Sequence, residues 1–122
     1  MEKIAISSEG PDLDTRVDPR FGRAAGFVII DPDTMTFDYV DNGASQVMAQ
    51  GAGIQAAEIL AATGARVLLT GYVGPKAFKA LTAGGIKIGQ DVDNLTVRQA
   101  LERFQAGDVP VAAAPNSVGH PA

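Results

Sequence analysis

The stretch GAGIQAAEILAATGARVLLTGYVGP, residues 51–75, decides the fold class. From Ile54 to Thr63 the polar positions Gln55 and Glu58, with Ala62, fall on one narrow stripe, so the segment predicts a helix buried over most of its circumference. Gly64 suits the left-handed position after a helix. Val67-Leu68-Leu69 is then a short, continuous apolar run, the mark of a strand covered on both faces. After a glycine-bearing loop, Thr70 to Gly74, Pro75 sits where a new helix accepts proline best, at its first position. Helix, buried strand and helix in close succession predict parallel strands joined by right-handed crossovers.

Downstream, Ala77, Phe78 and Leu81 give the next helix its apolar face, and Gly84-Gly85 ends it. Ile86-Lys87-Ile88 reads as a fifth strand. Thr96-Val97-Arg98-Gln99 is a capping box, and Val97, Ala100, Leu101 and Phe104 form the stripe of a last helix that Gly107 stops. Residues 107–122 hold three prolines and small residues without either period, and read as a disordered tail after a single domain, 1–106.

Upstream, Ile4-Ala5-Ile6 is a first strand. Ala25–Ile30 and Met35–Val40, with Met35, Phe37 and Tyr39 on one side, form a hairpin about the Asp31-Pro32-Asp33-Thr34 turn. The order is βββαβαβα. Two reversals cancel, so the first and third strands run with the later ones. The loops after strands one, three and four, residues 7–24, 41–53 and 70–75, then share the carboxyl edge of the sheet, where open α/β sheets bind ligands.

The first of these loops is unusual in charge. The chain is acidic, with 10 Lys and Arg against 14 Asp and Glu, yet Arg16, Arg20 and Arg23 lie within eight residues of it. The other two loops lead into helix starts through Gly51-Ala52-Gly53 and Gly71-Tyr72-Val73-Gly74. Unpaired backbone N–H groups and the helix dipole favour an anion there, and glycine lets a ligand approach the backbone. The bland alternatives are surface pairing of Arg16 with Asp14 or Asp18 and of Arg20 with Asp18, and glycines that serve loop geometry alone. The carboxylates Glu9, Asp12, Asp14 and Asp18 match no metal-binding loop, and Ser7 and Ser8 have no base nearby in sequence. Phe21 reads as the loop's anchor, Tyr72 as a half-buried aromatic with a hydroxyl to offer, Met48 as packing. His120, the one histidine, falls in the expected tail. With many charges and few apolar anchors beyond Leu13, Val17 and Phe21, the first loop is expected to be mobile when empty.

Composition narrows the classes. With no cysteine there are no disulfides, thiolate zinc sites or cysteine-ligated iron–sulfur clusters. A pI near 4.7 speaks against non-specific binding to nucleic acid or to an anionic membrane. The apolar run at residues 4–6 is too short for a signal peptide, no stretch approaches transmembrane length, and independence of disulfides suits the cytoplasm.

Val17-Asp18-Pro19-Arg20-Phe21-Gly22-Arg23-Ala24, Gly51-Ala52-Gly53-Ile54-Gln55-Ala56-Ala57 and Thr70-Gly71-Tyr72-Val73-Gly74-Pro75-Lys76-Ala77-Phe78 occur here in that order. The chain thereby resembles the dinitrogenase iron–molybdenum cofactor biosynthesis family over roughly residues 1–105. That resemblance implies an α/β, ribonuclease-H-like fold: a five-stranded mixed sheet of order 3-2-1-4-5 flanked by helices. It implies a non-enzymatic carrier of metal–sulfur cofactors, alongside other proteins of a cofactor-assembly or cell-division-related complex. Many members have a histidine before the second loop's glycine; Gln50 stands here. Lacking that histidine and all cysteine, the chain is most similar to a branch that holds a mixed molybdenum–copper sulfide cluster without covalent protein ligands, the alternative cargo being an iron–molybdenum–sulfur precursor. Carried over, the contacts would be Arg16, Arg20, Phe21 and Arg23, Gly51 and Gly53, and Gly71 and Gly74. A regulatory module binding a nucleotide or phosphate at the same edge is the competing reading. A Mg²⁺-dependent hydrolase ranks last, since the carboxylates lack a core-strand arrangement.

Overall fold

In a computed structural model describing residues 2–117, β1 (Ile4–Ser8), β2 (Gly26–Ile30), β3 (Phe37–Asp41), β4 (Val67–Leu69) and β5 (Lys87–Gly89) form one sheet of order β3-β2-β1-β4-β5. β1 pairs antiparallel with β2 and β2 with β3, whereas β4 is parallel to β1 and to β5. β1, β3, β4 and β5 therefore end at the same edge. The helices are α1 (Gly43–Gln46), α2 (Ala52–Ala61), α3 (Pro75–Ala83) and α4 (Val97–Gln105).

Strand alternation sorts the core into two layers. Ala5, Phe27, Ile29, Leu68 and Ile88 turn to one face, under Ala56 and Leu60 of α2 and Ala77 and Leu81 of α3. Ile4, Ile6, Val28, Ile30, Val67 and Leu69 turn to the other, under Val97, Ala100 and Leu101 of α4. β1 and β4 are buried along their whole length, as strands in the middle of a two-faced sheet must be. The capping box of α4 is present: Thr96 Oγ1 accepts from Gln99 N at 3.2 Å, and Gln99 Oε1 from Thr96 N at 3.0 Å.

Three features depart from the sequence reading. α1 is an unanticipated single turn, four residues being too few to show a period. β3 begins at Phe37, because Met35 belongs to the preceding turn, with φ of 62° and its N–H donated to Asp31 O at 2.8 Å. The third departure concerns the segment read as a disordered tail. Within it, residues 108–117 lie along the free edge of β5: Val109 is buried in the α4 layer, and Ala112 N donates to Ile88 O at 2.7 Å. The segment covers a sheet edge that would otherwise be open, a role that leaves no periodic signature. His120 lies outside the described residues.

Removing two methyl groups by Val109→Ala should cost about 1.5 kcal/mol at ~0.8 kcal/mol per buried methylene, measured as a lower denaturation midpoint. An unchanged midpoint would return this segment to the solvent.

Candidate functional site

The arginine loop, residues 9–25, is stitched down rather than loose. Asp18 N donates to Ser7 O (2.9 Å) and Ser7 Oγ to Asp18 O (2.8 Å), so loop and strand end are paired twice. Ser7 Oγ also lies 2.7 Å from Thr70 Oγ1, joining the ends of β1 and β4; its hydroxyl is structural. Glu9 N donates to Arg16 O (3.0 Å) and Val17 N to Leu95 O (2.9 Å). Leu13, Val17 and Phe21 are all buried, and Phe21 packs on Phe27 with ring centroids 5.5 Å apart. Three buried anchors and this bonding contradict the expectation of a mobile loop.

Asp18 organises the turn that carries Arg20. Only 5% exposed, its carboxylate accepts from Arg20 N and from Ala25 N, each at 3.2 Å. It bonds the backbone, so neither Arg16 nor Arg20 pairs with it. Asp14 is taken as well, by Arg98 Nε at 3.1 Å; that hydrogen bond, and then the charge of Asp14, raise the Arg98 pKa. Asp12 Oδ1 accepts from Asp14 N and Thr15 Oγ1. These carboxylates are engaged in shaping the loop, and among the described residues no group of three or more His, Cys, Asp or Glu could hold a metal ion.

The three loops meet backbone to backbone. Phe21 N donates to Tyr72 O (3.1 Å) and Tyr72 N to Pro19 O (2.7 Å), forming a parallel bridge between Arg20 and Tyr72. A Cβ on Gly71 would stand 2.5 Å from Pro19 O; one on Gly22 would stand 2.8 Å from Gly53 N; one on Gly53 would stand 2.8 Å from Ala77 Cβ. Gly53 and Gly71 thus serve close packing. Gly51, with φ of 76°, occupies the left-handed N-cap of α2, while Gly74 caps α3 in ordinary extended geometry. Gly22 was missing from the residues singled out by sequence, although it sits in the same motif.

The guanidinium groups have different surroundings. Arg23 Nη1 donates to Met48 O (2.7 Å) and Gln46 O (3.2 Å), pinning the second loop. Arg20 and Arg16 are exposed, and their side chains have no hydrogen bond or ion pair among the described residues. Arg20 sits beside Tyr72; Arg16 bridges through its backbone to Thr96 at the start of α4, on the other face of the sheet. Arg20, Phe21, Gly53 and Gly71 therefore come together, Arg23 braces them from loop two, and Arg16 stands apart. Neither α2 nor α3 has a side-chain cap, so no capping side chain takes up the first-turn N–H groups of α2 or those of Lys76 and Ala77 in α3, where Pro75 has none to offer. Val47, Ile54 and Tyr72 add large apolar side chains exposed at 82, 40 and 47%.

Sequence reasoning missed two further residues. Asn42, fully buried, donates from Nδ2 to Ala24 O (2.9 Å) and Gly22 O (3.3 Å), holding the end of the arginine loop. An Asn-Gly pair after a strand suggests only a turn. Asn116 reaches back from the C-terminal segment to Gly71 and Val73, with no local signal at all. Tyr39, whose ring lies against Gly26, has its phenol pKa raised by burial and then by Asp41 and Asp18. Two cavities, of about 250 and 260 Å³, lie elsewhere, along β5 and residues 108–112.

The family model described as dinitrogenase iron-molybdenum cofactor matches residues 2–107. No curated protein matches. Among solved structures, the apo form of the orange protein from Desulfovibrio gigas is 66% identical, with a TM-score of 0.94 over 96% of this chain and 98% of that one. A putative NifB protein from Thermotoga is 31% identical, with a TM-score of 0.83 over 98% and 100%. The protein PH0822, 22% identical with a TM-score of 0.72 over 91% and 96%, shares the fold.

Because Gly71 meets backbone rather than a movable side chain, Gly71→Ala should cost about 1–3 kcal/mol, the range for overpacking a tight contact. Chemical denaturation measures it; wild-type stability would show that the first and third loops do not interlock.

Proposed function

This chain belongs to the dinitrogenase iron–molybdenum cofactor family, and we propose that it is a non-enzymatic carrier of an anionic molybdenum-containing metal–sulfide cluster. The favoured cargo is a molybdenum–copper sulfide, held without covalent bonds at the loop edge. The family and the similarity to the orange protein support a cofactor-binding carrier rather than an enzyme. The observation that carries the finer reading is the company Arg20 keeps: a cation whose side chain has no partner among the described residues, bridged to exposed Tyr72, on a loop that packs at Gly22 against the uncapped start of α2.

The donor set suits such a cargo and suits a bare metal ion poorly. There is no cysteine and, among the described residues, no cluster of carboxylates or histidine. A thiometallate cluster brings its own sulfides. It presents diffuse negative charge on a soft, weakly hydrated surface, so the protein has to supply positive charge, N–H donors and apolar contact. A guanidinium, planar and less strongly hydrated than an ammonium, fits that surface better than lysine would. In this reading Arg20 and the first-turn amides of α2 and α3 neutralise the cluster, and Tyr72, Ile54 and Val47 shield it. Gly53 and Gly71 let the loops pack closely beneath it, and Gly51 and Gly74 begin the two helices. Phe21 anchors the loop from beneath, Arg23 sets the position of the second loop, and Arg16 adds long-range attraction. An iron–molybdenum–sulfur precursor would satisfy the same donors and is distinguished by its metal content.

Adding tetrathiomolybdate and Cu(I) to the apo-protein, desalting, and recording visible spectrum and metal content should leave a charge-transfer band with the protein. A colourless, metal-free eluate, or tight calorimetric binding of ATP instead, would contradict the proposal. Arg20→Ala should weaken retention about tenfold, the effect of one charge-assisted hydrogen bond, and less at high salt, where exposed charges are screened. Retention equal to wild type at every salt concentration would remove Arg20 from the site.

A further inference from the structure

Gly71, Tyr72 and Val73 continue past the end of β4 as extended chain, which offers its N–H and C=O groups alternately to two sides. Tyr72 uses both of its groups on one side, toward Pro19 O and Phe21 N. On the other side β5 has already ended at Gly89. There the side chain of Asn116 takes the place of a neighbouring strand. Its Nδ2 donates to Gly71 O at 2.8 Å, and its Oδ1 accepts from Val73 N at 3.0 Å. One carboxamide reproduces the donor and acceptor of a paired peptide. The same Nδ2 lies 2.9 Å from Asp91 Oδ1, and Asp91 N donates to Gly71 O at 3.1 Å, so the loop after β5 is tied in as well. The chain carrying Asn116 is held along its course by buried Val109, by Ala112 N on Ile88 O, and by Gln90 Nε2 donating to Ala114 O at 3.3 Å.

We propose that Asn116 is a positioning residue of the cluster site, and that the C-terminal segment is a working part of that site; this rests on the cargo reading given above. Val73 precedes Gly74, the N-cap of α3. The clamp therefore sets where the first-turn amides of α3, on Lys76 and Ala77, point. It also sets where Tyr72 stands and, through the Pro19 and Phe21 bonds, where Arg20 is held. Without Asn116 the far side of the third loop stays bonded at Thr70 O and Gly71 O, by Val92 N and Asp91 N, but the hold on Val73 N is lost. Gly71 O loses one of its donors, and Val73 N must turn to water.

The test compares full-length wild type, Asn116→Ala and Asn116→Asp by amide hydrogen exchange and by the dissociation rate of a cluster assembled from tetrathiomolybdate and Cu(I). In Asn116→Ala the Val73 amide should exchange up to about tenfold faster, Tyr72 should keep its protection, and the cluster should leave several-fold faster. Asn116→Asp keeps an acceptor for Val73 but loses the donor to Gly71 O and adds a carboxylate beside Asp91. It should retain Val73 protection yet still release the cluster faster than wild type. Unchanged Val73 exchange in Asn116→Ala would overturn the clamp. Faster Val73 exchange with wild-type dissociation in both variants would overturn its positioning role. A wild-type chain that retains no cluster at all would overturn the cargo reading, and with it the assignment of Asn116 to a cluster site, whatever Val73 does.

Discussion

At the carboxyl edge of the sheet, glycines meet their neighbours with no side chain of their own between. Gly22 lies on Gly53, Gly53 on Ala77, and Gly71 on Pro19, at distances that a Cβ would reduce to between 2.5 and 2.8 Å. These contacts bring a loop from β1, the start of α2, the start of α3 and the end of β4 into one assembly. Protein interiors tolerate little overpacking, so the geometry of this edge follows from a few absent methyl groups. Asp18 and Asn42 complete it from within, each using a buried polar side chain to satisfy loop amides or carbonyls. The loop can then present charge on its outer side because its inner side is fully bonded.

The electrostatic character of the edge follows from that division. An acidic chain spends Asp12, Asp14 and Asp18 on its own loop and on Arg98, and leaves Arg20 without a partner among the described residues. The two helices that start here have no side-chain cap, while α4, which starts beside Arg16 on the other face, has a complete capping box. Uncapped amides, a partner-free guanidinium and exposed Tyr72, Ile54 and Val47 together suit a large soft anion better than a small hard one.

Much of the architecture was legible in residues 51–75, where helical and continuous-strand patterns alternate, and strand order was available through the family motifs. The meeting of three loops could be inferred from topology, since loops after parallel strands share an edge. Side-chain roles inside the loops were less accessible. The glycines read as room for a ligand, yet Gly53 first makes room for the Ala77 methyl and Gly71 for the Pro19 backbone, a distinction that depends on contacts between segments far apart in the chain. Arg16, Arg20 and Arg23 look equivalent in sequence; their partners, Thr96, Tyr72 and the carbonyls of Gln46 and Met48, separate them. The C-terminal segment looked disordered because its fixing points include one buried valine, isolated hydrogen bonds at Ala112 and Ala114, and one asparagine, none of which produces a period.

Backbone amide mapping by ¹⁵N–¹H NMR during addition of tetrathiomolybdate and Cu(I) tests most directly whether this edge is where an anionic cluster sits. The largest shifts should fall on Arg20 to Arg23, Gly51 to Ile54 and Tyr72 to Ala77, with residues at the opposite end of the sheet unmoved. Shifts concentrated instead on the cavity lined by Gln90, Arg103 and Val109, or none on the starts of α2 and α3, would contradict it.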